Sequence, residues 1–228
     1  RGNEVQCFFE FDLIIHLRYQ DITDTSLSFV LKSSEETLKV YPFAFALKIT
    51  YTLKKHDLEV CWEVVNNDSE TMYFTIGGHP AFRVPVREGE SQSDYRLAFE
   101  GLDVLTYLLI DTSAGTVIAD EPHTLSLENG TCSIAPHMFD KDALVFDNGQ
   151  IQKAGILFPD GTPYLTLTSE GFPNFGIWSV PGAPFVCLEP WMGRCDDCGF
   201  EKSLSEKNNI NVLKPDEEFI KSYQITVH

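Results

Sequence analysis

Apolar and polar residues alternate with period two through most of this chain, the signature of strands with one buried face. In Leu58-Glu59-Val60-Cys61-Trp62-Glu63-Val64 the alternation puts Leu58, Val60, Trp62 and Val64 on one face, which should be core. The preceding run, 43–53, alternates in the same way. Lys54-Lys55-His56-Asp57 joins the two, so they are predicted to form a hairpin. Further strands are predicted over 27–32, 72–76, 95–99, 143–146, 164–168, 174–180, 185–188 and 219–227. Between them lie Asn66-Asn67-Asp68, Glu128-Asn129-Gly130, Asp147-Asn148-Gly149, Asp160-Gly161 and Pro181-Gly182, whose residues accept positive φ or pre-form turns. No segment keeps a helical period for three turns, and no repeat, low-complexity tract or linker interrupts the chain. The pattern predicts one large all-β, antiparallel domain over 1–228. The stretch 7–20 (CFFEFDLIIHLRYQ) has strand composition but little alternation.

Composition narrows the function. With 43% hydrophobic residues in 228, the chain can bury a substantial core. Its formal charge of -17 repels nucleic-acid phosphates and anionic lipid, and no Lys/Arg cluster breaks the pattern. No apolar run approaches the roughly 20 residues needed to span a bilayer. Six cysteines are too sparse and irregular for a disulfide scaffold and read as free thiols of a reducing, cytoplasmic compartment. Cys195 and Cys198 have C-x-x-C spacing, but a closed zinc site wants two further ligands and no second pair supplies them. The start, Arg1-Gly2-Asn3, is neither an initiator Met nor a secretory signal, so the natural N-terminal strands are expected to be missing.

Two segments combine glycine, proline and aromatic residues with a titratable group. In Ile76-Gly77-Gly78-His79-Pro80-Ala81-Phe82 the glycines let the backbone turn or a ligand approach, which sets the imidazole at a sheet rim. An ordinary loop histidine is the competing reading. In Phe185-Val186-Cys187-Leu188-Glu189-Pro190-Trp191-Met192-Gly193 a carboxylate follows four apolar residues and is locked by Pro and Trp. Desolvation there would raise its pKa and make it a better base near neutrality. The alternative is a strand-end Glu facing water.

These segments, together with Val64-x-Asn66, Met72 to Thr75 and Phe139-Asp140-Lys141-Asp142-Ala143-Leu144-Val145-Phe146, resemble the aldose 1-epimerases, specifically their LacX-like branch. The likeness runs from about Thr25 to the C-terminus, and a G-G-H-P-A-F segment followed by L-E-P-W-x-G is a fairly specific pair. The resemblance implies the galactose mutarotase supersandwich with a sugar in an open cleft. It implies His79 as general acid, Glu189 as general base and Asp142 as a carboxylate gripping sugar hydroxyls, with Asp140 and Asp147 as nearby competitors. Trp191 is a candidate stacking platform, or simply core. Family members also carry an N-terminal Arg and a second His on the sugar. His16 and Arg18 stand in that direction without the surrounding motif.

The activity implied is interconversion of the α and β anomers of a free galactose- or glucose-like aldohexose. One group protonates the ring oxygen while another takes the C1 hydroxyl proton, and no metal or organic cofactor is required. Two rival readings remain: a non-catalytic carbohydrate-binding protein on the same fold, and a thiol or metal protein built on Cys195 and Cys198. Arg194 is the one basic residue beside the Glu189 motif. Neither the preferred sugar nor the oligomeric state follows from the sequence.

Overall fold

The computed structural model describes residues 18–228. His16 lies outside the described residues, as does most of the stretch 7–20. The chain runs β1 (Arg18–Ile22), β2 (Ser26–Lys32), a one-turn helix α1 (Thr37–Val40), β3 (Phe45–Lys54), β4 (Asp57–Asn66), β5 (Met72–Phe74), β6 (Ile76–Gly77), β7 (Ala81–Arg83), β8 (Arg96–Phe99), β9 (Val104–Tyr107) and β10 (Ile110–Asp111). It continues through β11 (Thr116–Val117), β12 (His123–Ser126), β13 (Thr131–Ser133), β14 (Leu144–Phe146), β15 (Lys153–Leu157), β16 (Pro163–Thr168), β17 (Asn174–Trp178), β18 (Phe185–Met192), β19 (Asn211–Leu213) and β20 (Glu218–Val227). No helix among the described residues is long and apolar enough to cross a membrane. The contacts fall into two compact units, one comprising the chain up to Thr75 with Glu201–Ile225, the other Ile76–Phe200 with Thr226–His228.

The first unit carries strands in the order β1-β2-β3-β4-β20, with β5 and β19 paired beside them. The predicted hairpin is β3–β4, antiparallel from Phe45↔Asn66 to Lys54↔Asp57. Its two-residue link is Lys55-His56, with Lys55 at φ 59. Val60, Trp62 and Val64 are buried as the alternation requires, Leu58 half-buried, and Trp62 meets Tyr223 of β20 edge-on at 5.5 Å. Burying aliphatic side chains of this size stabilises by about 1.5 to 3 kcal/mol each. Asn66, fully buried, donates through its amide to the carbonyls of Glu70 (2.8 Å) and Leu213 (2.9 Å) and accepts from the Asp68 N–H (2.9 Å). A buried amide with each partner supplied closes the turn after β4, which gives the Val64-x-Asn66 motif a structural purpose.

The second unit, which holds His79, Asp142, Glu189 and Trp191, has a sheet in the order β14-β17-β18-β6, with β7 also pairing β18, and strands in the order β16-β15-β8-β13. All of its strand pairs are antiparallel. Buried Leu97, Phe99, Phe146, Ile156, Leu165, Phe175, Ile177, Val186 and Leu188 supply its core.

Candidate active site

The site is hung on β18. Side chains two apart on a strand share a face, so Cys187, Glu189 and Trp191 point the same way. On one side β17 sets Trp178 opposite Cys187, Gly176 opposite Glu189 and Asn174 opposite Trp191. On the other side the register pairs Trp191 with Gly77 and Cys187 with Ala81. That register leaves His79, midway between Gly77 and Ala81, facing Glu189. The segment stays tethered there because the Gly78 N–H donates to the Pro190 carbonyl (2.9 Å) and the Leu188 N–H to that of Pro80 (3.3 Å). His79 Nδ1 then stands 3.5 Å from Glu189 Oε1. The structure therefore brings together two residues far apart in the chain.

Their environments differ. The His79 side chain is 54% exposed, whereas Glu189 is 4% exposed. Burial pushes the Glu189 carboxyl up to about 8; a hydrogen bond from the Trp191 indole N–H opposes the rise and the nearby charge of Asp142 adds to it. His79 moves the other way, below its usual 6.5, because partial burial disfavours the imidazolium. Near neutrality the pair thus holds one proton, and it rests on the carboxyl.

Trp191 is half-buried and packs against the cluster of Leu108, Val117 and Val145. Its indole lies over Gly77 and Gly176, and a Cβ at either position would run into the ring. These two glycines are needed for close approach and not for backbone freedom. Trp191 is accordingly packed, as the core reading has it, and it also touches the candidate base.

Asp142 occupies the left-handed region at φ 78, its Oδ1 accepting the Ala143 N–H at 2.6 Å, and its charge reaches Glu189. Of the competitors, Asp140 shares a cavity lining with Asp142, whereas Asp147 is engaged elsewhere. Asp140 pairs with His137 at 2.8 Å. Asp147 is forked by Arg194, Nε to Oδ1 and Nη2 to Oδ2 at 2.8 Å each, and also accepts from the Asn174 amide at 2.7 Å. Arg194, 5% exposed, binds Asp197 as well (2.7 Å), so its guanidinium is spent within the fold. A cavity of about 650 Å³ is lined by Asp142 and Trp178 together with Ile110, Asp111, Glu121 and His123. That is room for a small ligand. His79 and Glu189 do not line it. Asp142 connects it to Glu189 by charge, and Trp178 connects it to His79 by an edge-on ring contact at 5.7 Å.

Trp178 escapes sequence reasoning. Alternation in Asn174-Phe175-Gly176-Ile177-Trp178 puts it on the face of Gly176, but only the β17–β18 register shows that this face carries Glu189. The side chain of Arg18, at the start of β1, lies outside the described residues. Cys61, Cys132, Cys187, Cys195 and Cys198 form no disulfide, and Cys198 Sγ meets Thr116 Oγ1 at 3.1 Å. Among the described residues, His79, Cys187 and Glu189 offer a nitrogen, a sulfur and an oxygen within 4.8 Å of one another.

Known proteins resemble this chain in sequence and fold. A family model described as aldose 1-epimerase matches residues 10–226. Protein LacX (plasmid) of Lactococcus lactis subsp. lactis is 28% identical over 217 residues, covering 91% of this chain and 70% of its own. Among solved structures, a galactose mutarotase related enzyme from Lactobacillus acidophilus superposes with a TM-score of 0.84 at 29% identity, covering 93% of this chain and 71% of that one. A galactose mutarotase-like protein from Lactobacillus casei gives 0.80 at 27%, covering 93% and 73%. The chain belongs to the aldose 1-epimerase family, in its LacX-like branch, and has the galactose mutarotase-like fold.

Proposed function

We propose that this chain, taken as a single catalytic domain, is an aldose 1-epimerase that interconverts the anomers of a free aldohexose, galactose- or glucose-like, by acid–base ring opening and reclosure. The observation that carries the reading is the His79–Glu189 pair, an imidazole and a carboxyl 3.5 Å apart that can trade a proton. In the opening step protonated His79 gives its proton to the ring oxygen while ionised Glu189 takes the C1 hydroxyl proton. The pair is left as neutral imidazole and carboxylic acid, which is the distribution that burial favours at rest. After rotation about C1–C2 the roles reverse: Glu189 returns a proton to the aldehyde oxygen, His79 removes one from the ring hydroxyl, and the other anomer forms. Two protons move in each half of the reaction and none is consumed, so the chemistry needs no cofactor. Asp142 and Trp178 are assigned to hold sugar hydroxyls and the C–H face, and Trp191 to steady Glu189 and flank the sugar.

Polarimetry of freshly dissolved α-D-galactose and α-D-glucose tests the proposal. The chain should accelerate the decay of rotation saturably, and His79→Ala or Glu189→Gln should lower kcat by about 10² to 10⁴. Normal turnover in both variants would remove the assignment, and saturable sugar binding without acceleration would establish a binding protein instead.

A further inference from the structure

Cys187 takes no part in the reaction just described, yet it stands beside both residues that do. It is fully buried, two residues before Glu189 on the same face of β18, and its donor atom, with those of His79 and Glu189, lies in a set whose members are all within 4.8 Å. We propose that His79, Cys187 and Glu189 form a binding site for a zinc ion, and that zinc, by occupying the acid and the base together, reversibly inhibits the enzyme. The inhibition rests on the epimerase reading above; the binding does not.

The donor set selects the ion. A thiolate, an imidazole and one carboxylate are a borderline-soft N/S/O combination that suits Zn²⁺ and does not suit the oxygen-seeking Mg²⁺ or Ca²⁺. The spacing fits as well. Zn–N and Zn–O bonds of about 2.0 to 2.2 Å and a Zn–S bond of about 2.3 Å place tetrahedral donors roughly 3.3 to 3.8 Å apart. The His79–Glu189 pair is already 3.5 Å apart. Within the 4.8 Å limit, the thiol has to close by no more than about an ångström, which a small rotation about its Cα–Cβ bond supplies.

The site also has an entrance and a scaffold. Exposed His79 forms the mouth, and the fourth ligand position is left for water. Two ligands sit on one strand, held between β17 on one side and β6 and β7 on the other, so the set is fixed before the ion arrives. The chain's formal charge of -17 draws cations toward it. On binding, the Zn–S bond forms as Cys187 loses its thiol proton to solvent, and Glu189 binds as carboxylate. Zinc binding should therefore release protons and tighten with rising pH.

Cobalt(II) reports the site without reference to activity, because a thiolate ligand gives a sulfur-to-cobalt charge-transfer absorption. The 228-residue chain, stripped of metal, should take up one equivalent of cobalt with that band, and zinc should bleach it. Cys187→Ala should remove the band and weaken zinc by at least about 100-fold, the upper end of the loss that outer-shell changes alone cause. Cys195→Ala with Cys198→Ala should leave the band intact. In polarimetry, Cys187→Ala should keep its turnover and become zinc-resistant. Far-ultraviolet circular dichroism checks that the variant is folded, and Cys187→Ser serves where it is not. A band that survives loss of Cys187, a band lost with Cys195 and Cys198, or no band at all would overturn the proposal. A Cys187-dependent band on a chain with no epimerase activity would uphold the ion site and refute only the catalytic reading.

Discussion

Replacing Glu189 by Gln should make the chain more stable above neutral pH, although the substitution removes its candidate base. A carboxyl carried from 4.5 to about 8 is harder to ionise by about 5 kcal/mol, at about 1.4 kcal/mol for each tenfold change. Between those two pH values the native state holds the proton and the unfolded chain does not, so native stability falls as pH rises through that window and levels off beyond 8. The substituted amide cannot ionise, keeps the shape of the protonated side chain and still accepts from the Trp191 indole. Variant and wild type should therefore unfold alike in urea at pH 5. At pH 8.5 the variant should lead by at least about 2 kcal/mol, a shift of roughly 4 to 8 °C in melting temperature for a chain this size. His79, depressed below 6.5, contributes with the opposite sign, stability rising with pH, but it is present in both proteins and cancels in the comparison. A difference that stays within about 0.5 kcal/mol from pH 5 to 8.5 would refute the reasoning, since it would mean that Glu189 is ionised at neutrality.

Three further substitutions follow from the same geometry. Gly176→Ala drives a methyl into the Trp191 ring and should cost about 1 to 3 kcal/mol, read as a fall in melting temperature; an unchanged melt would show that the indole can shift freely. Asp142→Asn removes a charge that raises the Glu189 pKa, so the Glu189 limb of the kcat/KM profile against pH should move a fraction of a pH unit lower. Trp191→Phe removes the opposing hydrogen bond and should move the same limb higher; shifts in one common direction would contradict the assigned contacts.

The β3–β4 hairpin is legible in the sequence because alternation and a short polar link coincide there, and the buried faces follow residue by residue. β15 is not, since Lys153-Ala154-Gly155-Ile156-Leu157 is covered on both faces and shows no alternation. For β18 the pattern predicts an end near Leu188, because a Glu-Pro pair reads as a strand end. The strand runs on to Met192, with Pro190 using its carbonyl, though it has no N–H to give. The two motifs of the site can each be read locally, and desolvation of Glu189 can be anticipated. Their meeting across β18, the entry of Trp178 and the capture of Arg194 by Asp147 and Asp197 depend on register between distant strands, which no local pattern carries.

The seat of Trp191 over Gly77 and Gly176 ties two properties of the site that are usually independent. Adding a carbon at either glycine displaces the indole, and trimming the indole deletes the donor that restrains the Glu189 pKa. Packing at these two glycines and proton affinity at Glu189 are therefore one variable in this fold. A substitution that repacks this seat would carry a change of working pH with it, and a variant selected for its stability should be assayed for its pH profile.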